Sequence, residues 1–453
     1  MENQSTKNEG IINWINESVF FRLCVIGMLT LILLIPSFLV QDLIHERQNR
    51  QEDVIKEISE KWSGSQLVQG PVMVLPYKKQ NIYILPEVLK IKSKVNPEVL
   101  HRGIFDAVVY NASIKISGNF SFLELQKSGI DPDQIQWDKV KVVIGLSDLK
   151  GLKNNPIIKL SNQQYQVEPD FTSLKLFSQN LVIQPDLSKG RNTALPFSFD
   201  LDLRGSNALN FLHLGKRTMV MVEGEWSNPS FTGRYLPEDR QVSKTGFNAT
   251  WTMPFFNRPF PQQWIAEHTI LNTVIEGEVK DKLPSRETTV NPDKQTNDAY
   301  FGVNFKLPVD QYQKTMRSAK YSVLVVLLTF LSLFFTELLH KKKVNLLQYV
   351  LIGAAMIIYY TLLLAFSEQV GFNTAYVIAS VSTVTLVSGF IAILLKDKNP
   401  ALIFGGILSI FYAFIYVIIQ LQDLALLFGS VGLFVTVAVL MYLSTRIDWS
   451  KER

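Results

Sequence analysis

The residues best equipped for chemistry are few and poorly matched. Ser147-Asp148-Leu149-Lys150 has the S-x-x-K spacing that sets a lysine beside a nucleophilic serine in acyl-transfer enzymes. No S-D-N or K-T-G partner accompanies it, and its place between a strand-like run and Gly151 fits a solvated turn. The five histidines (45, 101, 213, 268 and 340) show no His-x-x-x-His or His-Glu-x-x-His spacing. The single cysteine, Cys24, sits in an apolar run, which excludes a thiolate nucleophile or a thiolate zinc site from residues 41–320. Asn111-Ala-Ser and Asn248-Ala-Thr are glycosylation sequons only where the machinery exists, and read better as strand ends. The expectation is a protein that is not an enzyme, with no metal and no cofactor.

Charges at the ends of apolar runs are the stronger signal. Arg317 and Lys320 lie one helical turn apart where an uncharged run begins, and Glu368 and Asp423 lie in short loops between later runs. If all four share one side of a membrane, they can form charge pairs where a soluble domain meets a helix bundle. The competing arrangement puts the cations on lipid phosphates and the acids in water. At the opposite ends Glu337 is spaced i, i+4 from Lys341 for an ion pair. Arg446, Asp448 and Trp449 are suited to anchor the last helix. Phe231, Arg234 and Tyr235 read either as an exposed recognition loop or as a turn whose aromatics close a core.

Two kinds of element must position these residues. Residues 23–40 carry no charge and form a first transmembrane helix after a polar stretch, 1–22. A cleaved signal peptide fits less well, because no A-x-A site follows and the chain continues as a charged amphipathic stalk, 41–65. Residues 317–445 form a five-helix bundle with spans 321–339, 346–366, 375–395, 401–421 and 424–445, each near the ~20 residues a bilayer requires. Lys341–Lys343, Lys396, Lys398 and the tail 446–453 gather Lys and Arg on one side, whereas 367–374 and 420–423 have none. The positive-inside rule then makes both termini cytoplasmic and residues 41–318 periplasmic. The carboxylates among the spans all lie near helix ends, which disfavours an ion-coupled transporter. Tyr349, Tyr359, Tyr360, Tyr412 and Tyr416 are read chiefly as aromatic-belt residues.

Between the first helix and the bundle, residues 66–316 change texture to short β-branched runs broken by Pro, Gly and Asn. Strands are expected at 71–77, 81–86, 89–95, 112–120, 139–146, 156–160, 174–185, 195–205, 218–226, 246–253, 273–279 and 300–307. Residues 105–113 fit either strand or helix, 112–120 resembles 197–205 closely enough to permit a duplicated unit, and 256–264 is an aromatic, proline-rich loop covering one end. The fold class is an α+β membrane protein: six transmembrane helices with a large antiparallel β-sandwich-like domain between helices 1 and 2. Residues 41–320 have a net charge of only +4, which argues against nucleic acid or a strongly anionic substrate.

The membrane half resembles the CreD family of bacterial inner-membrane proteins. The match is carried by Asp310-Gln-Tyr-Gln, Arg317-Ser-Ala-Lys-Tyr321, Phe334-Phe-Thr-Glu337, Gln348-Tyr349, Tyr360 through Glu368, Gly371-Phe372, Ala375-Tyr376, Gln422-Asp423 and Arg446-Ile-Asp448-Trp449. In the β-rich region Gly70-Pro71-Val72, Leu85-Pro86-Glu87, Ser147-Asp148 with Gly151, Ser230-Phe231 and Gly246 through Trp251 follow the same pattern. Ser318 departs from an expected alanine, a mild change. The resemblance implies a non-enzymatic protein of cell-envelope integrity, associated with a two-component stress regulon, colicin tolerance and β-lactam response, and it brings no catalytic residues. The expected function is envelope maintenance, with a periplasmic β domain binding a lipid, glycan or protein client beside the bilayer. The alternative is a membrane-protein chaperone or insertase, on layout alone, followed by a transporter.

Overall fold

A computed structural model of the chain describes residues 19–122, 125, 130–170, 176–188, 194–266, 271, 299–305, 307, 311–340, 344–396, 398–421 and 424–445. The chain divides into two compact units, Glu52–Pro308 and Met1–Gln51 with Val309–Arg453. Helix α1 (Val19–Trp62) runs unbroken through Pro36, so the first span and the stalk form one helix whose last turns belong to the first of these units.

The β unit holds strands β1 (Gln66–Tyr77), β2 (Gln80–Ile84), β3 (Val88–Arg102), β4 (Phe105–Ser121), β5 (Lys141–Leu146) and β6 (Ile157–Leu160). Then come β7 (Gln163–Gln166), β8 (Glu168–Pro169), β9 (Gln179–Ile183), β10 (Ala194–Ser206), β11 (Ala208–Leu212) and β12 (Arg217–Gly224). The series ends with β13 (Pro229–Gly233), β14 (Asp239–Val242), β15 (Phe247–Met253), β16 (Gln263–Ala266) and β17 (Tyr300–Phe305). A nine-stranded sheet runs β13-β17-β11-β1-β5-β9-β8, with β2 on β1 and β16 on β2; an eight-stranded sheet runs β14-β15-β12-β3-β4-β10-β6-β7.

Alternation decides which face of each strand is buried. In β10 Leu195, Phe197, Phe199, Leu201 and Leu203 are buried, while Ser198 and Asp200 face out. The two sheets meet through aromatic contacts: Trp251 of β15 lies 5.5 Å from Phe301 of β17, and Tyr110 of β4 lies 5.2 Å from Phe305. Residues 105–113 are strand, and the alike stretches 112–120 and 197–205 pair with each other along β4 and β10. The expected strand at 273–279 lies outside the described residues.

The sandwich is not wholly antiparallel. β1 pairs β11 and β3 pairs β12 in parallel, because more than a hundred residues separate each pair and no hairpin dictates their direction. The strands that sequence pattern misses are mostly at sheet ends. β7, β8, β13 and β14 close the two sheets; β7, β8 and β14 bury almost nothing and carry no apolar alternation to read, and β13 turns Phe231 alone toward the core.

The Ser147–Gly151 turn joins strands, and its serine and lysine bond to separate backbone groups. The Ser147 hydroxyl donates to the Ser65 carbonyl at 2.8 Å and accepts from the Leu67 amide at 2.9 Å. Lys150 Nζ donates to the Glu60 carbonyl at 2.8 Å, away from that hydroxyl. Asp148 accepts from Ser63 at 2.9 Å, and buried Gln66 donates to the Asp148 carbonyl at 2.9 Å. A Cβ on Gly151 would stand 2.3 Å from Gln66 Nε2, which explains a glycine there. The loop at 256–264 is held from beneath by Arg258, whose guanidinium donates to the carbonyls of Leu214 (2.6 Å) and Phe260 (3.0 Å) and to Gln262 Oε1 (3.0 Å). Beside it buried His213 donates from Nε2 to the Pro254 carbonyl and accepts at Nδ1 from Thr218. Burial pushes His213 down to about 4, with the nearby Arg258 adding to that and the Pro254 carbonyl opposing it.

The helix unit continues with α2 (Gln311–Lys320), α3 (Ser322–His340), α4 (Leu346–Val370), α5 (Phe372–Leu395), α6 (Lys398–Gln420) and α7 (Ala425–Thr445). Among the described residues α1, α4, α5 and α6 are long and apolar enough to cross a membrane, and α2 with α3 makes a fifth candidate bent by 42°. In α7, the sixth expected span, the described apolar stretch is Leu427–Val439. The span expected to begin at residue 321 is preceded by a helix from Gln311, and residues 311–316 group with the helices rather than the strands. The reason is amphipathic spacing: Tyr312, Thr315, Met316 and Ala319 are buried on one face of α2.

Candidate functional site

One end of the helix unit is tied together by polar side chains from four helices. Tyr312 on α2 donates to Glu368 Oε1 at the end of α4 at 3.0 Å. Two residues on, Lys314 donates to Gln420 Oε1 at the end of α6 at 3.0 Å and lies 5.5 Å from the Phe372 ring centroid at the start of α5. Gln420 in turn donates to Asn373 Oδ1 at 2.6 Å. α2 therefore meets the loop-side ends of α4, α5 and α6 through Tyr312 and Lys314. Arg317 and Lys320 are exposed, and among the described residues no salt bridge joins either to Glu368. Asp423 lies outside the described residues.

Deeper between the helices is a cluster of tyrosines. Tyr359 of α4 contacts Tyr412 of α6 at 4.7 Å between ring centroids, Tyr360 at 4.8 Å and Tyr376 of α5 at 6.0 Å. Tyr416 of α6 closes on Tyr376 at 5.2 Å. The Tyr376 hydroxyl donates to the Tyr412 carbonyl at 2.8 Å, and the Tyr359 hydroxyl sits 3.4 Å from Ser380 Oγ. Tyr412 is only 3% exposed, yet among the described residues its hydroxyl has no hydrogen-bond partner. A buried hydroxyl without a partner costs about 1–3 kcal/mol, and Tyr412 shares this state with Ser318 and Ser388 of the same unit.

This cluster corrects the aromatic-belt expectation. Tyr349, Tyr359, Tyr360 and Tyr412 are buried among helices, where a belt residue would face lipid at a helix end. Depth was the available signal, since Tyr359 and Tyr412 both stand more than two turns inside their helices. Tyr312, Lys314, Asn373 and Gln420 were also missed as site residues, although the helical spacing of Tyr312, Met316 and Ala319 exposes α2 in the sequence.

At the other end Glu337 is 5% exposed and accepts from the Tyr349 hydroxyl at 3.2 Å. Lys341, Arg446, Asp448 and Trp449 lie outside the described residues. In the β unit Phe231 and Tyr235 pack toward the core, Phe231 lying 5.8 Å from Trp251 and Tyr235 6.4 Å from Phe301. Tyr235 donates to the Asn257 carbonyl and its own carbonyl accepts from Trp251 Nε1 at 3.0 Å, while Arg234 is exposed. The two aromatics thus close the core.

Among the described residues no three potential ligands converge to hold a metal. The arrangement can donate hydrogen bonds within an apolar bundle. A family profile described as Inner membrane protein CreD matches residues 18–450. Inner membrane protein CreD of Escherichia coli (strain K12) is 28% identical over 447 residues, covering 95% of this chain and 94% of that protein. Matched along nearly its whole length, the chain belongs to the CreD family of inner membrane proteins.

Proposed function

We propose that this protein maintains the bacterial cell envelope by holding a client, without transforming it, in the inner membrane. In this reading the chain crosses the membrane six times, with both termini in the cytoplasm and residues 41–318 in the periplasm, a topology supported by the lysines of 341–343 on one side and the lysine-free loops 367–374 and 420–423 on the other. The observation that carries the client reading is Tyr412: a buried donor, ringed by Tyr359, Tyr360 and Tyr376, that no described protein atom satisfies. A lipid phosphate or ester carbonyl supplies the missing acceptor, and the surrounding rings accept its apolar flank.

Native mass spectrometry of the full-length protein released gently from membranes tests this beside Tyr412→Phe. The expected result is a lipid adduct on the wild type that falls at least tenfold in the variant. Equal retention by both, or none by either, overturns it. A second reading, a membrane-protein chaperone or insertase, draws on the half-buried Lys314 at the mouth of the bundle. It is favoured instead if an unfolded polypeptide co-purifies and Lys314→Met releases it.

A further inference from the structure

The outer face of the eight-stranded sheet sorts its charges in a way that the near-neutral balance of the whole region conceals. Alternation in β3 turns Lys90, Lys92 and Lys94 outward, each about 7 Å from the next along the strand. The register with β4 sets Lys115 directly across from Lys92, a like-charge pair that weakens the sheet. Among the described residues no salt bridge reaches any of these four lysines. Asp200 stands opposite Lys115 and Asp202 opposite Ser113 on one side, and Glu223 of β12 stands opposite Lys94 on the other, so the acids lie along the borders of the basic row and toward its Lys94 end.

The row ends in an open cleft of about 330 Å³ with Lys94 at its edge. Asn96, Asn111, Ser113, Lys153 and Asp202 supply its polar lining. Lys153 reaches across to Asn111 Oδ1 at 2.9 Å, and its amide donates to the Asp202 carbonyl at 2.8 Å, which fixes that wall. Amide, hydroxyl and carboxylate groups together match the donors and acceptors of sugar hydroxyls. A line of unpaired ammonium groups matches carboxylates or phosphates spaced along an extended chain.

We infer that this face binds an acidic oligosaccharide lying along β3, its hydroxyls in the Asn96/Asn111/Ser113 cleft and its anionic groups on Lys90, Lys92 and Lys115. The inference extends the client-holding reading from the helix unit to the β unit and stands on different residues. It also explains why a repulsive Lys92–Lys115 pair is built into the centre of a sheet.

The test is calorimetric binding of uronate octasaccharides to the full-length protein in detergent. Neutral dextran of equal length, inorganic polyphosphate and anionic phospholipid vesicles serve as comparison probes. The uronate should bind, dextran should bind at least tenfold more weakly, and Lys92→Glu with Lys115→Glu should weaken uronate binding at least tenfold. Asn96→Ala with Asn111→Ala should weaken uronate severalfold while leaving polyphosphate unchanged, which separates sugar recognition from charge alone. Lys115→Thr should lower uronate affinity severalfold. The inference is overturned if uronate does not bind, if the asparagine pair is silent, or if vesicles bind more tightly than uronate through the same lysines. Loss of uronate binding with the lipid adduct of the helix unit intact would sink this inference alone; loss of both would sink the client reading with it.

Discussion

The two units solve the same packing problem in different solvents, and the difference governs what can be read from them. In the β unit strands such as β3, β10 and β12 turn one face to water, so residues such as Phe197, Phe199 and Leu201 alternate with Ser198 and Asp200 and the buried set is visible in the sequence, whereas β1 and β11 are buried on both faces. In the helix unit the outside is as apolar as the inside. Leu402 and Ile403 are exposed while Phe404 and Leu408 are buried, and nothing in residue type separates them. What distinguishes the interior there is small size and hydroxyl groups: Gly353 against Leu33 and Phe330, Ser37 against Ser322 at 2.6 Å, and the tyrosine cluster.

That contrast makes opposite substitutions damaging in the two units, and tryptophan fluorescence reports chiefly on the β unit, which holds Trp62, Trp137, Trp226, Trp251 and Trp264, five of the seven tryptophans, while Trp14 and Trp449 belong to the helix unit. The largest effect should come from emptying the sandwich. Trp251 is 1% exposed at the meeting of the sheets, and Trp251→Ala should cost about 3–5 kcal/mol in chemical denaturation. Acid should act next, and on the β unit. His213 has its folded value lowered from 6.5 to about 4, so its contribution is complete above about 6.5 and disappears as the pH falls toward 4, where the unfolded imidazole takes up a proton that the folded one refuses. The expected loss is on the order of 2–3 kcal/mol, and a His213→Gln variant should show a flatter acid limb.

In the helix unit filling space should hurt more than emptying it. A Cβ at Gly353 would stand 2.3 Å from Leu33 Cδ1, so Gly353→Leu should destabilise the bundle by about 1–3 kcal/mol while the β-unit fluorescence transition stays in place. Coincident shifts of both transitions would show that the two units unfold as one. Smaller effects should rank the residues at the polar end. Tyr312→Phe removes the hydrogen bond to Glu368 and should cost about 1 kcal/mol, whereas Arg317→Ala should stay within about 0.5 kcal/mol. A larger loss from Arg317 would restore the charge-pair arrangement of Arg317, Lys320, Glu368 and Asp423.

The legible part of the fold follows from this solvent difference. Strand runs such as 195–205 and 218–226 and the long apolar helices were plain, because each carries its period or its length in residue type. The polar end strands β7, β8 and β14 were not, because a strand that buries neither face has no pattern to show, and β13 offers a single apolar side chain, Phe231, from which no period can be read. At the candidate site Glu368 was legible as an acid at a helix end, but its partner was not. The Tyr312 that reaches it precedes the hydrophobic run by nine residues and belongs to a helix that composition alone assigned to the β-rich region. The parallel pairs β1–β11 and β3–β12 were hidden for a related reason, since pairing across so long a stretch is decided by the whole sandwich and not by local turns.

The central claim is that the tyrosine cluster holds a client through Tyr412. The most direct test is the phospholipid-dependent shift in thermal unfolding of the helix unit, followed by helical circular dichroism of the full-length protein in detergent. A ligand present at about a hundred times its dissociation constant stabilises the folded state by about 2.7 kcal/mol. Wild type should therefore melt higher with added phospholipid. Tyr412→Phe should melt no lower than wild type without lipid, having lost an unpartnered hydroxyl, and should gain nothing when lipid is added. A variant that melts lower without lipid and still rises with it as the wild type does would contradict the account, and would make the cluster a packing feature alone.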